Sequence, residues 1–287
     1  MHEDHSDFYT ISLFLALMGH IFILFSALGM LILAAAIPPG YRHRAAIAGI
    51  GWLIFSIHWF SQPFHYIKID DYFNIVTTII AGLLCVFFSI QFLKERGCES
   101  EPEYALHLYR ATSAAAIGGA IYFLFAEIPF LKEWLIGVVA DQTEWILHKI
   151  GLQPLRVEWN TLSLNGHDVE IILACTAIES IALFMGVTLA CIDASPRRVA
   201  LAFLASVPVI YLLNLVRNAF VIIAFGFTWF GSPEESFYVA HTVIAKIGST
   251  IALFAIAYVV LTILPELLDM IDGIAGLLKK SLKGAGG

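Results

Sequence analysis

The chain has 287 residues, 59% hydrophobic and 14% charged, with a mean hydropathy of +0.83. A soluble domain carries roughly 45–50% apolar and about 25% charged residues, so this composition excludes that class and predicts one polytopic membrane domain. Sixteen Lys+Arg against twenty-three Asp+Glu give a net charge of −7, without the basic stripe of a nucleic-acid binder.

A bilayer core takes about 20 apolar residues per helix. Seven stretches meet that length, at roughly 8–37, 45–67, 72–93, 108–130, 171–193, 199–230 and 238–264. The first opens on His2-Glu3-Asp4-His5 rather than on basic residues, which argues against a cleaved signal peptide. Residues 133–150 carry Glu133, Asp141, Glu144, His148 and Lys149. They read as an amphipathic helix at the interface, where Trp134 and Trp145 fit the aromatic belt. Next, Asn165-Gly166 stands between short alternating runs at 157–164 and 167–171, the strongest short-range hairpin signal. A lone hairpin is marginal in water, so this one is expected to rest on the interfacial helix or the helix ends, like a lid. The tail 279–287 is expected to be disordered. The predicted fold is an all-α polytopic transmembrane bundle of about seven spans with a short extracytoplasmic amphipathic helix and a β-hairpin.

Cations orient such a bundle, with their excess facing the cytoplasm. An outside N-terminus puts ten of them inside: Arg42, Arg44, Lys94, Arg96, Arg110, Arg197, Arg198, Lys279, Lys280 and Lys283. Lys68, Lys132, Lys149 and Arg156 fall outside, and Arg217 and Lys246 lie within spans. The expected topology is therefore N-out and C-in.

Arg217 carries the most information. A cation at membrane depth costs at least ~2.5–3.5 kcal/mol on insertion scales, and such residues mark function. Its helix enters from the cytoplasm near residue 199, which places Arg217 roughly 27 Å along it, towards the outer leaflet. Cys175, in Ala174-Cys175-Thr176-Ala177-Ile178-Glu179-Ser180, and His241, in Tyr238-Val239-Ala240-His241-Thr242, fall in the same layer. A thiol, a base and a fixed cation make an acyl-transfer set: Cys175 the nucleophile, His241 the base and then the acid, Arg217 the holder of the oxyanion. Glu179 and Asn218 can orient that site, although ordinary helix–helix hydrogen bonding accounts for them equally well. Packing alone also accounts for a lone membrane cysteine.

Other chemistries have less support. The cysteines Cys85, Cys98, Cys175 and Cys191 form no CxxC pair or disulfide spacing. HExxH, GxSxG and phosphate-loop motifs are absent. A retinal-type or transport bundle would use Lys246 as a Schiff-base lysine, yet an obvious mid-membrane counter-ion is lacking, since Asp70 and Asp71 lie at a helix edge. Haem ligation by His20, His58, His65, His107, His148 or His167 finds no convincing same-helix pair; His58 and His65 are two turns apart. A non-catalytic membrane assembly protein remains open. No metal and no cofactor are expected.

The order Cys-Thr-Ala-Ile-Glu-Ser, then Leu-Val-Arg-Asn, then a histidine at the mouth of the next helix resembles the exosortase/archaeosortase family of membrane cysteine transpeptidases, and most of all its archaeosortase branch. The likeness is strongest over about 170–262. It implies that Cys175 is the nucleophile and Arg217 its essential partner. The third position is histidine in many members and differs in some archaeosortases, so the resemblance carries least weight at His241. It implies a substrate: the C-terminal sorting signal of secreted surface proteins such as an S-layer glycoprotein, cut outside the membrane, with a membrane lipid as acyl acceptor. It also implies an archaeal plasma membrane. On this reading 1–107 is an N-terminal three-helix region, 108–264 the catalytic core and 265–287 a cytoplasmic tail.

Overall fold

The computed structural model describes residues 3–38, 40–68, 71–95 and 104–284. His2, Asp70, Arg96 and Cys98 lie outside them. The elements in chain order are α1 (Glu3–Ala36), α2 (Arg44–Ser61), α3 (Pro63–Ile67), α4 (Tyr72–Glu95), α5 (Ala105–Glu127) and α6 (Pro129–Lys149). Then come β1 (Leu155–Glu158), β2 (Thr161–Leu164), β3 (His167–Glu170), a 3-10 turn (Leu173–Cys175), α7 (Ile178–Leu189) and α8 (Pro196–Gly226). The chain finishes with α9 (Pro233–Phe237), a π-helix (Tyr238–Ala245), α10 (Lys246–Ile263) and α11 (Pro265–Gly284). The protein is an all-α polytopic membrane protein with one small sheet. Among the described residues, five helical stretches are long and apolar enough to cross a bilayer: Arg44–Ile67, Tyr72–Lys94, Ala105–Glu127, Pro196–Gly226 and Pro233–Ile263.

The chain divides into two compact units, residues 1–116 with 270–287, and residues 117–269. In the first, α2 is gripped on two sides. A Cβ at Gly49 would meet Leu93 of α4 at 3.0 Å, and one at Gly51 would meet Leu31 of α1 at 3.1 Å. Lipid gives helices no hydrophobic drive to associate, so such close approach at small residues is what holds them. Trp52 Nε1 donates to Thr112 Oγ1 at 3.0 Å, and Arg44 lies 3.6 Å over the Tyr109 ring while its Nε donates to the Ala34 carbonyl. The tail is not disordered as far as Gly284. Residues 279–284 are the last turns of α11, because Met270 and Leu277 of its apolar stripe are buried and Ser281 accepts from Gln91 at 3.2 Å.

The second unit holds the sheet. Asn165 and Gly166 both have positive φ, 55° and 82°, the geometry that a tight two-residue hairpin demands. The hairpin is one strand larger than expected: β1 pairs with β2 and β2 with β3, all antiparallel. Leu162, Leu164 and Val169 turn to one face and form a core with Leu147 of α6 and Ala219 and Ile222 of α8. Its tip is fastened to the end of α8, where Asn165 Nδ2 donates to the Gly226 carbonyl at 3.1 Å and Leu164 fills the space a Cβ on Gly226 would need. Arg156 of β1 ties the sheet to α6 by reaching Asp141 at 2.8 Å and Glu144 at 3.0 Å. Further towards the start of α6, Ile136, Val139 and Ala140 pack on Ile171 and Leu215.

One expected span is not a span-length helix. The stretch 171–193 yields only the 12 residues of α7, about 18 Å against a bilayer core of ~30 Å. Its first seven residues are pulled out of helical form, because Ile171, Leu173 and Cys175 pack into the α6–α8 core instead. α7 is held from its side as well: a Cβ at Gly118 of α5 would lie 2.9 Å from the Ala182 carbonyl.

Candidate active site

Cys175 ends the 3-10 turn that leads from β3 into α7. The turn is closed by the Cys175 N–H on the Ile172 carbonyl (2.8 Å) and the Thr176 N–H on the Leu173 carbonyl (3.0 Å). The Thr176 hydroxyl also donates to Leu173, at 2.7 Å. Ala177 then adopts a left-handed conformation, φ 59°, and α7 starts afresh at Ile178. A non-glycine residue takes that conformation only where its surroundings enforce it.

The backbone just before that turn is held by α8. Asn214 Nδ2 and Asn218 Nδ2 both donate to the Cys175 carbonyl oxygen, at 2.7 and 2.8 Å. Four residues apart, they share one face of the helix, and both are buried. Buried main-chain groups outside regular helix need partners; here two side-chain amides supply them at one carbonyl. Asn160 acts similarly four residues upstream, where its Nδ2 donates to the Ile171 carbonyl and its main-chain carbonyl accepts from the Ile171 N–H. We expect Asn214→Leu or Asn218→Leu alone to lower the unfolding free energy by about 1 kcal/mol. The double variant should lose more than the sum, because only it leaves a buried acceptor unpaired. Thermal unfolding in detergent measures this, and simple additivity would deny that the pair acts on one group.

Arg217 precedes Asn218 and is half-buried. Its Nη2 lies 3.4 Å from His241 Nε2. A guanidinium only donates, so Nε2 must present its lone pair and the ring proton sits on Nδ1. His241 lies inside the π-helix. Such i→i+5 segments are rare and concentrate at functional sites. The His241 ring stacks on Phe237, centroids 5.2 Å apart and planes 5° apart.

The structure thus brings Arg217 and His241 together directly and attaches Cys175 to the same stretch of α8 through its backbone. Among the described residues the Cys175 thiol hydrogen-bonds to neither. Cys85 and Cys191 are buried and Cys175 is half-buried, so Cys175 is the accessible thiol among those described. Glu179 is exposed in the first turn of α7. Lys246 is exposed at the start of α10, and His58 is buried against the Phe55 ring. Among the described residues no three His, Cys, Asp or Glu gather as metal ligands. Sequence reasoning did not single out Asn214, although two asparagines at i and i+4 bracketing an arginine in an apolar helix were visible. Nothing in the sequence marks the π segment.

A model of the family described as Transmembrane exosortase matches residues 15–261. The chain belongs to that family. Archaeosortase A of Haloferax volcanii is 27% identical over 257 residues, covering 78% of this chain and 82% of the relative. Archaeosortase A of Natronomonas pharaonis is 26% identical over 258 residues, covering 80% and 78%. No solved structure matches. The exosortase family is one of membrane peptidases and transpeptidases, and the matched range contains Cys175, Arg217 and His241 together with both asparagines.

Proposed function

We propose that this chain is a cysteine transpeptidase of the cell membrane that cleaves a C-terminal sorting signal of surface proteins, S-layer glycoprotein among them, at the outer face. It passes the new C-terminus to a lipid. The observation that carries the reading is the Arg217–His241 contact at 3.4 Å, one residue from the asparagine that grips the Cys175 backbone. Family membership and the two Archaeosortase A relatives support it. The catalytic region is 108–264, and with the N-terminus of the chain outside the three residues belong to the outer leaflet.

The chemistry follows from the groups present. In the resting site Arg217 occupies the lone pair of His241 Nε2. The contact is long and gives way to the Cys175 thiol, whose proton Nε2 takes, and a scissile carbonyl that enters then draws the guanidinium away altogether. The thiolate attacks the carbonyl carbon, and Arg217 holds the resulting oxyanion by charge-assisted hydrogen bonds. His241 returns its proton to the leaving amine, the C–N bond breaks, and a thioester to Cys175 remains. The departing helix leaves sideways into the bilayer. A lipid headgroup hydroxyl, deprotonated by His241, then attacks the thioester and regenerates the thiol. Asn218, with Asn214, keeps the nucleophile's backbone still, and Glu179 has at most an indirect role.

The thioester gives a direct test. Hydroxylamine added to membranes that co-express the chain with a surface glycoprotein bearing a sorting signal should intercept the acyl-enzyme. The cleaved protein should then carry a C-terminal hydroxamate, seen by mass spectrometry. Cleavage that continues with no hydroxamate would replace the covalent route by direct hydrolysis.

A further inference from the structure

Four rings form a line through the second unit. His167, the first residue of β3, meets Phe225 near the end of α8 edge-on, at 4.9 Å and 63°. Phe225 meets Phe237 edge-on, at 5.2 Å and 64°. Phe237 lies face to face with His241, at 5.2 Å and 5°. The first ring belongs to the sheet and the last to the site.

The geometry points to Phe237 as a positioning residue for His241, held in turn by Phe225 and the sheet; the inference rests on the transpeptidase reading above. An imidazole on a helix has a broad second torsion and swings unless something fixes its plane. The 3.4 Å contact to Arg217 is long for a hydrogen bond and falls on a single ring atom, so it sets a direction but not a plane. The parallel Phe237 face sets the plane. Phe237 is the last residue of α9, immediately before the π-helix. The widened turn therefore begins between the two stacked rings, and the stack is what holds its first residues in register. His167 Nδ1 is buried with no hydrogen-bond partner, so its ring contact with Phe225 is the interaction seen for that side chain. Through this line the sheet, fastened at Asn165 and Leu164 to Gly226, bears on the orientation of the base.

The test needs no protein substrate. The rate of iodoacetamide alkylation of Cys175, followed on its own peptide by mass spectrometry across pH, reports how the thiol loses its proton. The charged groups within electrostatic reach of His241 are Arg217 of α8 and Lys246 of α10, and both stay in place. Phe237 is 36% exposed, so its replacement leaves the core intact. We expect Phe237→Leu to move the alkylation profile towards that of His241→Ala and to lower the rate at neutral pH by between about twofold and about tenfold, the range of an aromatic pair. Phe237→Tyr should keep the wild-type profile. A wild-type profile in Phe237→Leu beside a shifted one in His241→Ala overturns the positioning role alone. A tyrosine variant as impaired as the leucine one also overturns it. An unshifted His241→Ala removes the base from the mechanism and the positioning role with it.

Discussion

Cys175→Ala should leave the protein folded and inserted while processing of a co-expressed sorting-signal substrate falls below detection. Removing a nucleophile from an acyl-transfer site costs about 10⁶-fold in rate where it has been dissected. The structural cost is small for reasons particular to this site. The groups that hold residue 175 in place act on its main chain: Asn214 and Asn218 on its carbonyl, the Ile172 carbonyl on its N–H. Alanine keeps every one of these. Only the sulfur is lost from a half-buried position, and the left-handed turn at Ala177 is untouched. The melting temperature in detergent should therefore match wild type, in contrast to the asparagine double variant, which keeps the thiol and loses the frame. Processing at the wild-type rate by Cys175→Ala would end the cysteine mechanism.

Much of this architecture could be read from residue order, and the parts that could not share a cause. Long apolar runs gave α2, α4, α5 and α8 to within a few residues, since only a closed hydrogen-bond ladder suits lipid. Asn165-Gly166 gave the hairpin, because few residues tolerate its positive φ values. The errors arose where tertiary partners override local pattern. Residues 171–177 are as apolar as a helix, but Asn214 and Asn218, some forty residues away, supply the hydrogen bond that helix formation would have supplied to Cys175. The third strand was missed because Leu155–Glu158 pairs through an irregular register between Arg156 and Glu158, which breaks its alternation. The tail looked polar and short, yet α11 buries Leu267, Met270 and Leu277 along one stripe. In the site, the residue types and their order named Cys175, Arg217 and His241, but the π turn that aims His241 has no sequence signature.

These departures converge on one place. The broken start of α7, the sheet and the π-helix are the irregular backbone of the second unit, and all three surround the same stretch of α8. A continuous helix through residue 175 would bury the cysteine's carbonyl in its own ladder and point the side chain along a regular lipid-facing or core-facing row. Breaking it exposes a turn at the helix start, and α8 repairs the lost hydrogen bonding with two asparagines. Arg217 stands between those asparagines in sequence. A single helix thereby holds the Cys175 backbone and carries Arg217, and through Arg217 it meets His241.

Arg217→Lys is the sharpest test of that arrangement, because it preserves charge and changes shape. We expect processing to fall by at least about 100-fold, the loss on removing one oxyanion donor from an acyl-transfer site. Insertion and topology should be unaffected, since lysine and arginine weigh similarly at membrane depth. The difference lies in the fork. Arginine offers five N–H donors in a rigid plane, so one edge can face His241 Nε2 while another remains for the carbonyl oxygen. A lysine ammonium is a point charge that cannot serve both directions in one geometry. If the guanidinium couples the two groups, Arg217→Lys and His241→Ala will not add: the double variant should be little worse than the poorer single one. Rates within about threefold of wild type in Arg217→Lys would show that charge alone suffices, and the contact with His241 would then have no part in the chemistry.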